Sequence, residues 1–77
     1  MSNKLIADIG RALYGERWQS DLARALDVSD RTARRWAAGT DEPRRGVYTD
    51  LHRMVIERIA DLEDILERIK EQETRAP

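Results

Sequence analysis

QSDLARALDVSDRTARRW, residues 19–36, with Gly39 just beyond it, decides how this chain folds. Leu22, Ala23 and Leu26 fall on one face of a helix that begins near Trp18, and Asp27-Val28-Ser29 then breaks the period. A turn this tight usually needs one residue with positive φ, and Asp27 is tolerable there although glycine would be better. Val28 can point inward and fill the space between the helices. Ser29 then serves as N-cap of a further helix, and Asp30 places a carboxylate in its first turn, where it favours the helix dipole. At about 100° per residue, Ala33, Trp36 and Ala37 cluster on one side of that helix. Asp30, Arg31, Arg34, Arg35 and Ala38 cluster on the other. Gly39 ends it, and Thr40-Asp41-Glu42-Pro43 is a polar loop whose proline blocks backward extension of the next helix.

Upstream, Ser2 or Asn3 can cap a first helix whose apolar residues Leu5, Ile6, Ile9, Ala12 and Leu13 keep helical spacing. Gly15 is its stop. Gly10 inside it costs about 1 kcal/mol relative to alanine, which close packing against a neighbouring helix would explain. Downstream, the stretch from about Arg44 to about Glu73 holds no proline and only Gly46 as a weak point. Val47, Leu51, Val55, Ile59, Leu62, Leu66 and Ile69 recur there at spacings of 4, 4, 4, 3, 4 and 3. The last five fit a heptad seam, with Ile59 and Leu66 at a and Val55, Leu62 and Ile69 at d. Thirty residues of helix would span about 45 Å, longer than a small head can cover. The sequence therefore predicts an all-α chain in three parts: a head over 1–45, a long helix over 46–73 and a frayed tail over 74–77.

Seventy-seven residues make one small domain, which buries only about 60% of its unfolded surface. With no cysteine to supply a disulfide or a Cys-based metal site, oligomerisation is the remaining supplement to so small a core. No apolar run approaches the roughly 18 residues of a membrane span, and the N-terminus lacks a signal-peptide pattern, so a cytoplasmic chain is expected. Net charge is −1, but its distribution is uneven. Residues 11–45 hold eight arginines and six carboxylates, whereas residues 46–77 hold five cations and eight carboxylates. The surplus near the recognition stretch is small, so non-specific affinity for nucleic acid should be weak at physiological salt.

A helix, a tight turn and a second helix with a basic outward face is the arrangement that lays a helix in the DNA major groove. Arginine suits the task because its planar pair of donors matches guanine O6 and N7 and also reaches phosphate oxygens. Asp30 and Arg34 stand i, i+4 in the favourable order and can pair. Arg31 and Arg35 are a like-charged i, i+4 pair whose repulsion a polyanion would relieve.

From Leu5 to Leu51 the chain resembles the Cro/repressor-type (XRE-like) helix-turn-helix regulators of phages and bacteria. The most specific part is Q-x-x-LA-x-x-L-x-VS from Gln19 to Ser29, then RTARRWAAG from Arg31 to Gly39, with Pro43 shortly after. The resemblance implies that Ala23 packs in the helix crossing and that Val28, Ala33 and Trp36 form the small core. It implies a phosphate anchor at Gln19, base-edge contacts from Asp30, Arg31 and Arg35, and Arg34 close to bases or backbone. It also implies a backbone or minor-groove contact near Arg44. Asp27 departs from the family's glycine, and the long last helix departs from its usual five-helix domain.

The expected DNA-contacting set is therefore Gln19, Ser29, Asp30, Arg31, Arg34, Arg35, Arg44 and Arg45. For Asp30 the helix-start role is the stronger reading. Trp36 and Trp18 read as core rather than as ligand-stacking aromatics. His52 stands alone, without the companions a metal site needs. The carboxylates Asp61, Glu63, Asp64, Glu67, Glu71 and Glu73 read as a solvated face, and single scattered glycines make no phosphate loop. No catalysis, cofactor or metal is expected. Beyond Ile56 nothing in the chain is left to cover Ile59, Leu62, Ile65, Leu66 and Ile69, a stripe that soluble monomers avoid. The expectation is a homodimeric regulator, most simply a repressor, that reads a palindromic operator in double-stranded DNA. An autorepressor of the anti-CRISPR-associated kind is a narrower version of it. The alternative is an antitoxin or adaptor whose long helix binds a different protein.

Overall fold

The computed structural model describes residues 4–77 as four helices in chain order: α1 (Lys4–Tyr14), α2 (Trp18–Leu26), α3 (Asp30–Ala38) and α4 (Arg45–Arg75). The first three are packed into a head, and α4 runs out of it to give a molecule 53 Å long and 22 Å across. The expected cap at Ser2 or Asn3 lies outside the described residues.

Each boundary has a local cause. Helix α1 stops at Gly15, which has φ +89° and donates its N–H to the Arg11 carbonyl at 2.8 Å. Helix α2 ends at Asp27 in the left-handed region, φ 57° and ψ 44°. The Asp27 N–H reaches Arg24 O at 3.2 Å and the Val28 N–H reaches Ala23 O at 2.9 Å, so orphan carbonyls at the helix end are satisfied. The same double closure recurs after α3, where Gly39 at φ 81° donates to Trp36 O and Thr40 to Arg35 O. Ser29 is extended, φ −76° and ψ 155°, and its Oγ accepts from the Thr32 N–H at 3.1 Å, as an N-cap should. Helix α4 begins after Arg44 without a side-chain cap.

The core gathers one or more residues from every helix: Ile6, Leu13, Trp18, Leu22, Ala23, Ala33, Trp36 and Leu51. Gly10 lies hard against α2, because a Cβ there would overlap the indole ring of Trp18. That overlap is the reason the helix tolerates a residue costing about 1 kcal/mol in propensity. Val28 fills the turn side of the same core, and Val47, Tyr48 and Met54 pack on it from α4. Two expectations for α1 fail. Leu5 and Ala12 lie at the surface, because the neighbouring helices cover only the strip through Ile6, Gly10 and Leu13.

The head does not end where the long helix begins. Leu51 is buried and Val55 half-buried, and the Arg58 Nη1 donates to the Leu13 carbonyl at 2.7 Å while its guanidinium carbon sits 5.9 Å from the Tyr14 ring centre. A cation bonded to a carbonyl in the last turn of α1 suits the negative end of that helix. Arg58 is the last residue of α4 held by the head. Every residue from Ile59 to Pro77 is exposed. The helix continues to Arg75, with the Thr74 hydroxyl donating to Lys70 O at 3.0 Å, and Ala76 and Pro77 lie beyond it.

Candidate nucleic-acid interface

Helix α3 is sided as its sequence implies. Ala33 and Trp36 are buried against the head, while Asp30, Arg31, Arg34, Arg35 and Ala38 are all exposed. The helix is nine residues long, about two and a half turns, so these five side chains share one short outward face.

The three arginines are not equivalent. Arg35 Nε is 3.0 Å from Asp41 Oδ2, an ion pair across the end of the helix that local spacing did not announce. Both members are about half exposed, so solvent screens the pair and an incoming phosphate can displace the carboxylate. The expected Asp30–Arg34 pair does not form. Asp30 Oδ2 instead accepts from the Ser20 hydroxyl at 3.2 Å, a contact from α2 that spacing within α3 could not reveal. Among the described residues, Arg31 and Arg34 have no ion pair at all.

The Ser20–Asp30 bond has a second consequence. It holds the start of α2 beside the start of α3, so the positive ends of two helix dipoles are brought together. Gln19, half-buried, and Arg17, exposed and without an ion pair among the described residues, belong to that junction. Glu16, Arg17, Gln19 and Ser20 line a shallow open depression there. Such a surface offers helix-start N–H groups and the Arg17 guanidinium to an anion, with the Glu16 carboxylate at its edge. Arg17 was not among the sequence candidates; its place just ahead of the first turn of α2 was the available signal. Ser29 is occupied in capping, with its Oγ also 3.0 Å from Thr32 Oγ1, so its part is to set the position of α3. Arg44 and Arg45 are exposed at the start of α4, whose first turn carries no acidic residue and whose cap is bare backbone.

The second candidate surface is the far half of α4. Ile56, Ile59, Leu62, Ile65, Leu66 and Ile69 are each between 46% and 55% exposed, and Val55 is half-buried where the head ends. Past Arg58, charged residues around them pair along the helix itself, as in Arg68–Asp64 at 3.7 Å and Lys70–Glu67 at 3.6 Å. Among the described residues no helix is long and apolar enough to cross a membrane, and no group of three His, Cys, Asp or Glu residues is gathered for a metal.

Fold and surfaces together define an all-α chain with a head of three short helices on a long, half-bare helix. Comparison of the chain with known protein families, with curated proteins and with solved structures finds no match.

Proposed function

We propose that this chain is a sequence-specific DNA-binding regulator that acts as a homodimer, reading a palindromic operator with α3 in the major groove of each half-site. The observation that carries the reading is the siding of α3: buried Ala33 and Trp36 behind, exposed Arg31, Arg34 and Arg35 in front. In this reading Arg31 and Arg34 address base edges or phosphates, and Arg35 exchanges Asp41 for the DNA. Gln19, with Arg17 beside it, anchors a phosphate at the joined helix starts, and Arg44 and Arg45 take another at the start of α4. Ser29 and Asp30 orient the helix. The weak net charge makes one head a poor binder, so specificity depends on two heads held by the apolar stripe of α4. The protein is a non-enzymatic repressor of phage or bacterial type, cytoplasmic, using no cofactor or metal. An autorepressor in an anti-CRISPR-associated operon fits the same features.

The test is a gel shift on DNA from upstream of the chain's own gene. Arg31→Ala with Arg35→Ala should weaken the shift by about 1–3 kcal/mol for each base edge these arginines read, and lower the salt slope by about one for each phosphate they neutralise. Unchanged binding would sink the assignment. The bare stripe also favours a second reading, an antitoxin or adaptor whose α4 binds a different protein. Light scattering separates the two, since a stable dimer at low micromolar concentration leaves no vacancy for such a partner.

A further inference from the structure

Asp41 and Glu42 follow α3 at the end where a helix favours positive charge. A carboxylate there opposes the α3 dipole, so helix stability does not account for Asp41. Its backbone is nonetheless held fast. Once Gly39 has turned the chain at φ 81°, the N–H groups of Thr40 and Asp41 both donate to the Arg35 carbonyl, at 3.0 and 3.3 Å. Asp41 is thereby tied to the backbone of the residue its side chain pairs with, since its Oδ2 lies 3.0 Å from Arg35 Nε. An exposed ion pair ordinarily loses most of its gain to ordering two side chains. Here the turn already fixes the backbone of one partner, and aspartate has few rotamers left to lose.

The other arginines of α3 are treated differently. Asp30, the carboxylate at the start of the same outward face, accepts from the Ser20 hydroxyl at 3.2 Å. Among the described residues neither Arg31 nor Arg34 has an ion pair. One carboxylate is thus turned away from the basic face and one is turned onto it. Arg31 and Arg35 stand one turn apart with like charge, and Asp41 brings to Arg35 the negative charge that a phosphate would bring. The two side chains of the pair are 44% and 50% exposed, so it can open without unfolding anything.

We propose that Asp41 is an internal competitor of DNA: its carboxylate occupies Arg35 in the free chain and has to be displaced before Arg35 reaches a base edge or a phosphate. The inference rests on the DNA-binding reading and adds to it a residue that lowers affinity. Apparent affinity is reduced by the fraction of chains in which Arg35 is paired. Salt dependence is blunted as well. When Arg35 moves to DNA, a phosphate releases its counterion, but the Asp41 carboxylate left behind draws a cation back from solution.

The test is a titration of the full chain, at several salt concentrations, with DNA from upstream of its own gene and with an unrelated duplex. Asp41→Asn removes the charge and little else. It should tighten binding by about two- to fivefold and steepen the salt slope by up to about one. Glu42→Gln removes the same charge one residue on, at a side chain without an ion pair among the described residues, and should do distinctly less. In an Arg35→Ala background the gain from Asp41→Asn should shrink to that of Glu42→Gln. A gain that survives the loss of Arg35 in full, or weaker binding by Asp41→Asn, overturns the competition. A readout without DNA tests the pair itself. By NMR of the unmodified chain, the Arg35 Nε–H should exchange with water more slowly than those of Arg31 and Arg34, and equal rates overturn the pair. Binding by the unmodified chain that Asp41→Asn leaves unchanged overturns this inference alone. No binding to either duplex, by the unmodified chain or by Asp41→Asn, overturns the DNA-binding reading and this inference with it.

Discussion

Leu51 and Leu62 lie eleven residues apart on the same helix and the same side of it, yet the first is 1% exposed and the second 55%. Nothing local distinguishes them, since both sit in an unbroken helix with apolar neighbours at three- and four-residue spacing. The difference is what stands opposite. Leu51 faces Ile6, Trp18, Leu22 and Trp36, and Leu62 faces solvent. One helix thus serves as a wall of the head for about four turns and as an unfinished core for the next three. A long amphipathic helix records where a protein needs a partner as clearly as where it already has one.

The sharpest way to break the contrast is to truncate each leucine. Leu51→Ala should cost about 2–5 kcal/mol of head stability, most of what a domain this small possesses, and urea titration would show it. Leu62→Ala should leave that transition nearly in place while raising the dissociation constant of the dimer in sedimentation. Equal effects on the two readouts would erase the division between wall and unfinished core. Next comes Gly10→Ala, which drives a methyl group into the Trp18 ring. Overpacking of this kind should cost about 1–3 kcal/mol despite alanine's better helix propensity. Ser29→Ala removes the cap on the Thr32 N–H and should cost about 1 kcal/mol. The smallest effect, and of opposite sign, is expected at Asp27. Its left-handed conformation is strained for a residue with a Cβ, so Asp27→Gly should gain up to about 1 kcal/mol in the same titration.

Much of this was legible because it is local. The helix ends at Gly15, Asp27 and Gly39, the cap at Ser29 and the two-sided α3 all arise from residues within a few positions of one another. The stripe through Leu62 was legible from its own three- and four-residue spacing. What escaped was decided by contacts between elements. Asp30 stands at the right spacing for Arg34 but is taken by Ser20 from another helix. Arg35 finds Asp41 only because the chain folds back after Gly39. Leu5 and Ala12 obey the helical period of α1 but fall outside the strip its neighbours cover. Arg58 reads as one more surface arginine, and its partner Leu13 is 45 residues away. That bond also extends the head from about residue 45 to Arg58, so a truncation meant to isolate the head belongs after Arg58.

Two heads, joined through the bare half of α4, are needed to read DNA if the proposed function is right. Full-length chain carrying Leu62→Asp and Leu66→Asp keeps every residue of the head and of α3, and buries two charges if the stripe pairs. Its operator affinity against that of the unmodified chain, measured at one salt concentration with the oligomeric state recorded alongside, is the direct measurement. The expected result is a folded monomer whose specific binding is abolished or reduced at least about a hundredfold, in the range that linked sites contribute. A folded monomer that binds the operator as tightly as the unmodified chain would contradict it.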